Sequence, residues 1–316
     1  MLAEDVDWEN HFTQFLYRPF DFRPYYNSEN VVELPRLEVM NNLFEKNNLG
    51  LIANRQIRDN DIRHAWVSRE IVDFHVLQTA NASAYLFPLY IKNNSENLNQ
   101  QFLDNSSLTK YKNNRIPNLD RNFTINLQSI LNLRFVSDGH GDLKSTFGPE
   151  DIFHYIYSIF HSPTYRKRYA EFLKIDFPRV PLTSNVELFR KLCFLGEELV
   201  ALHLLESPQV TQLITRYPVA GDNFVEKGFP KFAVYEEGKP GFVYVNKAQY
   251  FEGVPKEVWE FHVGGYKVCE KWLKDRRGRQ LSFDDLMHYQ KVVVALKETI
   301  RLMEEIDRAI PSWPVK

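Results

Sequence analysis

Between Ser282 and Ile306 the chain repeats apolar residues every three or four positions, at Leu286, Tyr289, Val293, Leu296, Ile300, Met303 and Ile306. That period predicts a long amphipathic helix with one face buried, so the rest of the chain must build a core for it to lie on. Ser282 and Asp285 supply an S-x-x-D start, which fixes where the helix begins. Upstream, Val258, Trp259, Phe261 and Val263 suit a half-buried strand, and Gly264 and Gly265 end it where a close approach or a positive φ is needed. Tyr266 to Arg276 then predicts a short helix, with Val268, Cys269, Trp272 and Leu273 inward.

The remaining positions of that short helix and the turn after it carry Lys271, Lys274, Arg276, Arg277 and Arg279. Two readings fit them. Charge runs are usually a solvated face; cations clustered beside a glycine turn also suit the phosphates of a polyanion. The net charge of −2 excludes a generic basic coat for nucleic acid. The asymmetry is local: six Lys or Arg lie between Gly264 and Leu281, against Glu270 and Asp275.

Elsewhere the pattern changes along the chain. Phe12 to Tyr26, interrupted by Pro19 and Pro24, predicts short extended pieces. Leu34 to Lys46 predicts a helix with Pro35 in its first turn. Leu49 to Asn54, Ala65 to Val67, Ile71 to Leu77 and Ala84 to Ile91 predict strands. The Asn-rich stretch from Lys92 to Asn126 predicts an exposed loop. Helices are expected from Pro149, again from Pro163, and over Asn185 to Leu205, where Leu188, Leu192, Leu195, Leu199 and Leu202 form a stripe. Thr211 to Tyr250 turns to strands, with Phe232 to Tyr235 and Gly241 to Val245 flanking a hairpin turn. These elements indicate an α+β fold, with a β-rich part over 1–140 and a helical and mixed part over 141–316. At 316 residues, 44% of them hydrophobic, the chain is long enough for a deep core.

Few residues promise chemistry. There is no glycine-rich phosphate loop, no GxGxxG after a strand, no HExxH, no GxSxG and no NPPY tetrapeptide. Asp222, Glu237 and Lys239 give a D…E-x-K spacing like that of some Mg²⁺ nucleases, although Glu237 and Lys239 fall in a predicted turn. The DGHGD run from Asp138 to Asp142 reads as a glycine turn with capping aspartates rather than a metal loop. Asp284 and His288, one turn apart, predict an exposed ion pair. His154, His161 and His203 lie in helical patterns and read as helix-face or core histidines. Cys193 and Cys269 have no metal-type spacing and are expected as buried thiols in a reducing compartment. No apolar run reaches membrane-spanning length and the acidic start lacks a signal h-region, so a cytoplasmic protein without a membrane partner is expected.

Several stretches, in one order along nearly the whole chain, resemble the C-terminal specificity region of type ISP restriction-modification enzymes. They are YRPFDFRPYY (Tyr17 to Tyr26), LPRLEVM (Leu34 to Met40), LGLIANRQ (Leu49 to Gln56), YLFPLYI (Tyr85 to Ile91), SPTYRKRYAEFLKIDFPRVPL (Ser162 to Leu182), GEELVALHLLE (Gly196 to Glu206) and the long block from Gln249 to Ile300. In that family one polypeptide joins a nuclease, an ATP-driven translocase, an adenine methyltransferase and a target-recognition domain, and this chain resembles the last. The resemblance implies that S-adenosylmethionine, ATP and Mg²⁺ belong to upstream domains and that this chain holds no cofactor or metal. It implies double-stranded DNA and a methyltransferase domain or subunit as partners.

The expected function is therefore sequence-specific duplex recognition without catalysis. Arg55, Gln56 and Arg58 are the candidate base contacts, because planar donors at a strand end such as Arg55 and Gln56 can pair in bidentate fashion with purine edges, although capping of strand ends or ion pairing is the commoner role of such residues. Lys271, Lys274, Arg276, Arg277 and Arg279 are candidate phosphate contacts, joined by Lys110, Lys112 and Arg115 in the polar stretch. A Mg²⁺ nuclease and a remnant that only docks on a methyltransferase subunit are the alternatives.

Overall fold

The structure is a computed structural model, and it describes residues 8–28, 31–32, 36–56, 65–77, 83–92 and 115–315. Its centre is a layer of three helices, α3 (Pro149–His161), α6 (Val186–His203) and α9 (Phe283–Ala309). α6 and α9 bury the face their spacing predicts, with all five leucines of the α6 stripe buried, while α3 is buried on nearly every side. The helices approach closely because α6 has Gly196 where it crosses α3; a Cβ there would lie 1.9 Å from the His154 carbonyl oxygen. Ser282 caps α9 and Asp285 reciprocates, the box expected from S-x-x-D.

One polar chain ties the three helices through the apolar interior. Thr299 donates to the Ala295 carbonyl at 2.7 Å, so its oxygen accepts from His203 Nε2 at 2.9 Å. His203 is therefore protonated on Nε2, and its Nδ1 accepts from the Tyr157 hydroxyl at 2.6 Å. Trp66 stacks on the His203 ring at 4.2 Å and brings in the N-terminal sheet. Burial holds the His203 pKa down at about 3 and that of His154 at about 4, so both are core histidines with neutral rings.

Small sheets surround this layer. In the N-terminal part β1 (Phe12–Arg18) pairs antiparallel with β2 (Asp21–Tyr26), and a short α1 (Leu37–Met40) follows. β3 (Gly50–Asn54) lies between β4 (Ala65–Ser68) and, after the two-residue β5 (Ile71–Val72) beside β1, β6 (Ala84–Pro88). β7 (Tyr90–Lys92) pairs with β8 (Arg115–Pro117); α2 (Arg121–Leu131), β9 (Arg134–Phe135) and β10 (Thr146–Phe147) lead to α3. After α3 come α4 (Pro163–Arg168) and α5 (Ala170–Leu173). Beyond α6, β11 (Lys231–Ala233), β12 (Gly241–Tyr244) and β13 (Tyr250–Val254) form an antiparallel meander. α7 (Lys256–Trp259), β14 (His262–Val263), β15 (Tyr266–Lys267) and α8 (Val268–Lys274) complete the path to α9. Most of the buried apolar residues, from Leu16 to Val315, make one contiguous cluster. The fold is α+β.

Four local expectations change. The strand predicted through Val258 and Trp259 is the one-turn helix α7, and only His262 and Val263 pair across the glycine turn. Four apolar residues in six positions fit either period. Gly264 does have positive φ, 61°, and a Cβ there would lie 2.6 Å from the Leu77 carbonyl oxygen. Residues 33–35 at the start of the helix expected over Leu34 to Lys46 lie outside the described residues; among those described it is regular over Leu37–Met40 and goes no further, because Asn42 donates its amide to the Glu38 and Val39 carbonyls that a continuing helix would use. The strand expected to Leu77 pairs only over Ile71–Val72 before turning. The polar stretch ends not in a loop but in α2, capped by the Asp120 side chain on the Phe123 amide; residues 93–114 lie outside the described residues.

Candidate nucleic-acid interface

The C-terminal end of α8 is tied to the β1–β2 hairpin by Arg276, two residues beyond it, and by Asp275, which accepts from Arg23 at 3.3 Å. Arg276 donates to Asp21 at 3.0 Å, lies 3.4 Å above the Trp272 ring and reaches Asp285 at 3.6 Å. Asp21 is only 2% exposed and also accepts from Arg23 at 3.0 Å. Lys271 pairs with Asp275 at 2.5 Å and Lys274 with Glu270 at 2.7 Å. Trp272 stacks on His288, whose Nε2 lies 2.7 Å from the Phe20 carbonyl oxygen. The expected Asp284–His288 ion pair is thus replaced by a packed ring, and burial lowers the His288 pKa.

Arg277 and Arg279 are placed differently. Both are exposed and neither has a carboxylate partner among the described residues. Their segment pairs antiparallel with 223–225: Val225 donates to the Arg279 carbonyl and Gly278 to the Val225 carbonyl, each at 2.9 Å. Glu226 in turn donates to the Val245 carbonyl at 3.0 Å, which joins this ribbon to the end of β12. Arg277 Nε donates to the Phe229 carbonyl, and Lys231 Nζ lies 4.9 Å from the centre of the Phe229 ring. Lys227, Lys231 and Lys247 consequently crowd the same end of the meander as Arg277 and Arg279. All five are exposed and lack an ion-pair partner among the described residues. The neighbouring carboxylates are Asp222, which accepts from the Phe224 amide at 3.0 Å, and half-buried Glu226.

Sequence reasoning did not single out Lys227, Lys231 and Lys247, and no local spacing would have found them. The strand register collects them. The other candidates are scattered. Arg115 is spent internally: it donates to Asp138 at 2.6 Å and to the Asn47 carbonyl at 3.0 Å, and stacks 3.8 Å over Tyr90. Arg55 and Gln56 are exposed at the end of β3, with Arg55 3.3 Å from Asp176. Beside them Asn54 is 1% exposed and neither atom of its amide has a partner. Arg58, Lys110 and Lys112 lie outside the described residues.

The nuclease-like spacing gains no geometry. Glu237 and Lys239 sit in the β11–β12 turn, and no group of three or more His, Cys, Asp or Glu among the described residues is placed to hold a metal ion. The DGHGD run is a turn built around carboxylates. Asp142 accepts from the amides of Lys144, Ser145 and Thr146. Asp151 accepts from the amides of Gly141 and Gly148, both at 2.7 Å, and contacts His140 Nδ1 at 3.0 Å. Among the described residues no helix is long and apolar enough to cross a membrane.

The sequence matches the family model of the Type ISP C-terminal specificity domain over residues 2–305. The chain belongs to that family. Its fold recurs in a nuclease-deletion mutant of the Type ISP restriction-modification enzyme LlaGI in complex with a DNA substrate mimic, with TM-score 0.62 and 20% identity over 97% of this chain. It recurs in the ATP-dependent Type ISP restriction-modification enzyme LlaBIII bound to DNA, with TM-score 0.64 and 16% identity over 97% of this chain. It recurs too in a DrdV–DNA complex, with TM-score 0.68 and 18% identity over 94% of this chain. The Type ISP specificity chain spans 21%, 19% and 28% of those three chains respectively. No curated protein sequence matches it.

Proposed function

We propose that this chain is the target-recognition module of a Type ISP restriction-modification system and binds double-stranded DNA in a sequence-specific way. Membership of the specificity-domain family is the observation that carries the reading. The five exposed cations beside the meander support it, since a polyanion would engage them without first breaking an ion pair. Arg277 and Arg279 then contact phosphates, with Lys227, Lys231 and Lys247 beside them, while Arg276 ties the end of α8 to the hairpin and Lys271 and Lys274 stay in ion pairs one turn away on their own segment. Arg55 and Gln56 remain the candidates for base edges, where the Arg55–Asp176 pair would open on contact.

On this reading the module sets target choice for a methyltransferase domain or subunit and does no chemistry itself. S-adenosylmethionine, ATP and Mg²⁺ serve the domains that do, in the cytoplasm. The test is fluorescence anisotropy with random duplexes and with duplexes selected from a randomised pool, across a range of salt. Affinity is expected to fall steeply with salt, and a selected sequence is expected to bind tighter than random duplex by a thousandfold or more. Salt-independent binding, or no preference after selection, would refute the proposal.

A further inference from the structure

A cavity of about 550 Å³ opens between α4, α5 and the strap at 175–181, lined by Tyr165, Tyr169, Phe172, Leu173, Phe177 and Val180 among others. At its mouth Phe172 is 69% and Ile175 65% exposed. The apolar surface continues past the cavity, because Phe177 packs edge-on against exposed Tyr85 and Phe87 of β6, at 5.0 and 5.6 Å. Exposed apolar surface that continues past a cavity in this way marks binding grooves and protein contacts.

The surrounding groups narrow the occupant. Strap carbonyls are already used: Tyr165 donates to the Arg179 carbonyl and Tyr155 to the Pro181 carbonyl, both at 2.7 Å. Pro178 and Pro181 have no N–H. The strap therefore offers little to an extended peptide, and few free polar groups with which to read a base edge, so the occupant must satisfy its own backbone, as a helix does. The charge is one-sided. Lys174 neutralises Glu171 at 2.8 Å and Arg55 neutralises Asp176 at 3.3 Å. Arg168, 6.0 Å from the centre of the Tyr169 ring, and Arg179, which lines the cavity beside Asp176, are exposed and make no ion pair among the described residues.

We propose that this groove seats an acidic amphipathic helix of a protein partner, with apolar side chains in the cavity and carboxylates facing Arg168 and Arg179. The inference does not depend on the phosphate reading of Arg277 and Arg279, which concerns another surface; Arg55, paired with Asp176 at the rim, is the residue shared with the base-contact reading. The probe is a short, labelled Glu-rich peptide with Leu and Phe at i, i+3, i+4 and i+7, compared with a Lys-rich counterpart. The acidic peptide is expected to bind and the basic one not. Phe172→Asp should weaken binding at least about tenfold, as for a central apolar anchor, and Arg179→Glu should weaken it and flatten its salt dependence. Both residues are exposed, so thermal stability should not change, and duplex binding should keep its affinity and salt slope. No binding of the acidic peptide, equal binding of the basic one, or indifference to Phe172→Asp would overturn the proposal. So would displacement of the peptide by single-stranded DNA, or self-association of the free chain that Phe172→Asp abolishes.

Discussion

The double substitution Arg277→Ala/Arg279→Ala separates recognition from architecture. Each side chain, if it neutralises one phosphate, contributes about 0.9 to the slope of log K against log salt, so the pair contributes about 1.8. Raising salt fourfold should then shrink the variant's affinity deficit relative to the parent by about twelvefold. The loss should be similar on target and random duplex, since phosphates carry no sequence. Stability should barely move. Neither guanidinium has an ion pair to lose, and the hydrogen bond from Arg277 to Phe229 contributes about 1 kcal/mol, or about 1.5 °C in a chain this long.

Arg276→Ala is the matched control, one residue away. It strips a partner from an aspartate that is 2% exposed and leaves Arg23 to compensate in part, a cost of about 3 kcal/mol. Melting should fall by about 4–5 °C with the salt slope unchanged. The assay is anisotropy over a salt series paired with thermal unfolding by circular dichroism. An unchanged slope in the double variant, or a flattened slope with unchanged melting in Arg276→Ala, would show that these cations have been assigned the wrong way round.

Three further outcomes follow from the core. Gly196→Ala puts a methyl carbon 1.9 Å from the His154 carbonyl oxygen and should cost at least about 3 kcal/mol, seen as a lowered urea midpoint; unchanged stability would mean α3 and α6 are not that close. His154, His161 and His203 have pKa values that burial holds below the ordinary value. The unfolded chain therefore binds protons below about pH 6.5 that the native chain does not, so stability present above that pH drains on acidification at about 4 kcal/mol per pH unit for the three together. His203→Asn should reduce that pH dependence in urea titrations even if the variant is less stable throughout. His140 is shifted the other way, to about 10, by hydrogen bonds to Asp151 and then Glu150. Its stabilisation is complete below about pH 6.5 and is lost towards pH 10, so the deficit of His140→Asn in thermal melts should narrow over that range.

The long helices were legible because burial on one face leaves a 3.6-residue period that no other element imitates. Ser282, Asp285 and the leucines of α6 state boundaries and facing almost without tertiary context. Short elements were not. Val258 and Trp259 are buried whether their backbone is strand or helix, and the path from β13 to the glycine turn at Gly264 decides it. α2 did leave a signal, an Asp120 cap followed by Phe123, Leu127 and Leu131, but it sits at the end of an Asn-rich run whose composition suggested a loop. The cations of the candidate interface were partly legible. Lys271, Lys274, Arg276, Arg277 and Arg279 stand within nine residues of one another, yet the carboxylate that claims Arg276 is Asp21, far away in sequence. Density of charge along a chain says nothing of where the counter-charges fold.

That sorting leaves the exposed cations and the apolar groove at opposite ends of α9. Arg276 reaches Asp285 in its first turn, just before Arg277 and Arg279. In its last turn Asp307 accepts from Thr164 of α4 at 2.7 Å, and beyond it Trp313 packs on Tyr165 and Tyr169 of the groove. A helix of 27 residues separates its ends by about 40 Å. A helix seated in the groove and phosphates held by Arg277 and Arg279 would therefore not compete for space, and each would meet a surface fixed to one buried helix by apolar packing and by the Tyr157–His203–Thr299 chain. A body built this way would hold two such partners at a set distance and angle. That is the mechanical requirement for a module that must present one stretch of duplex to a machine bound elsewhere on it.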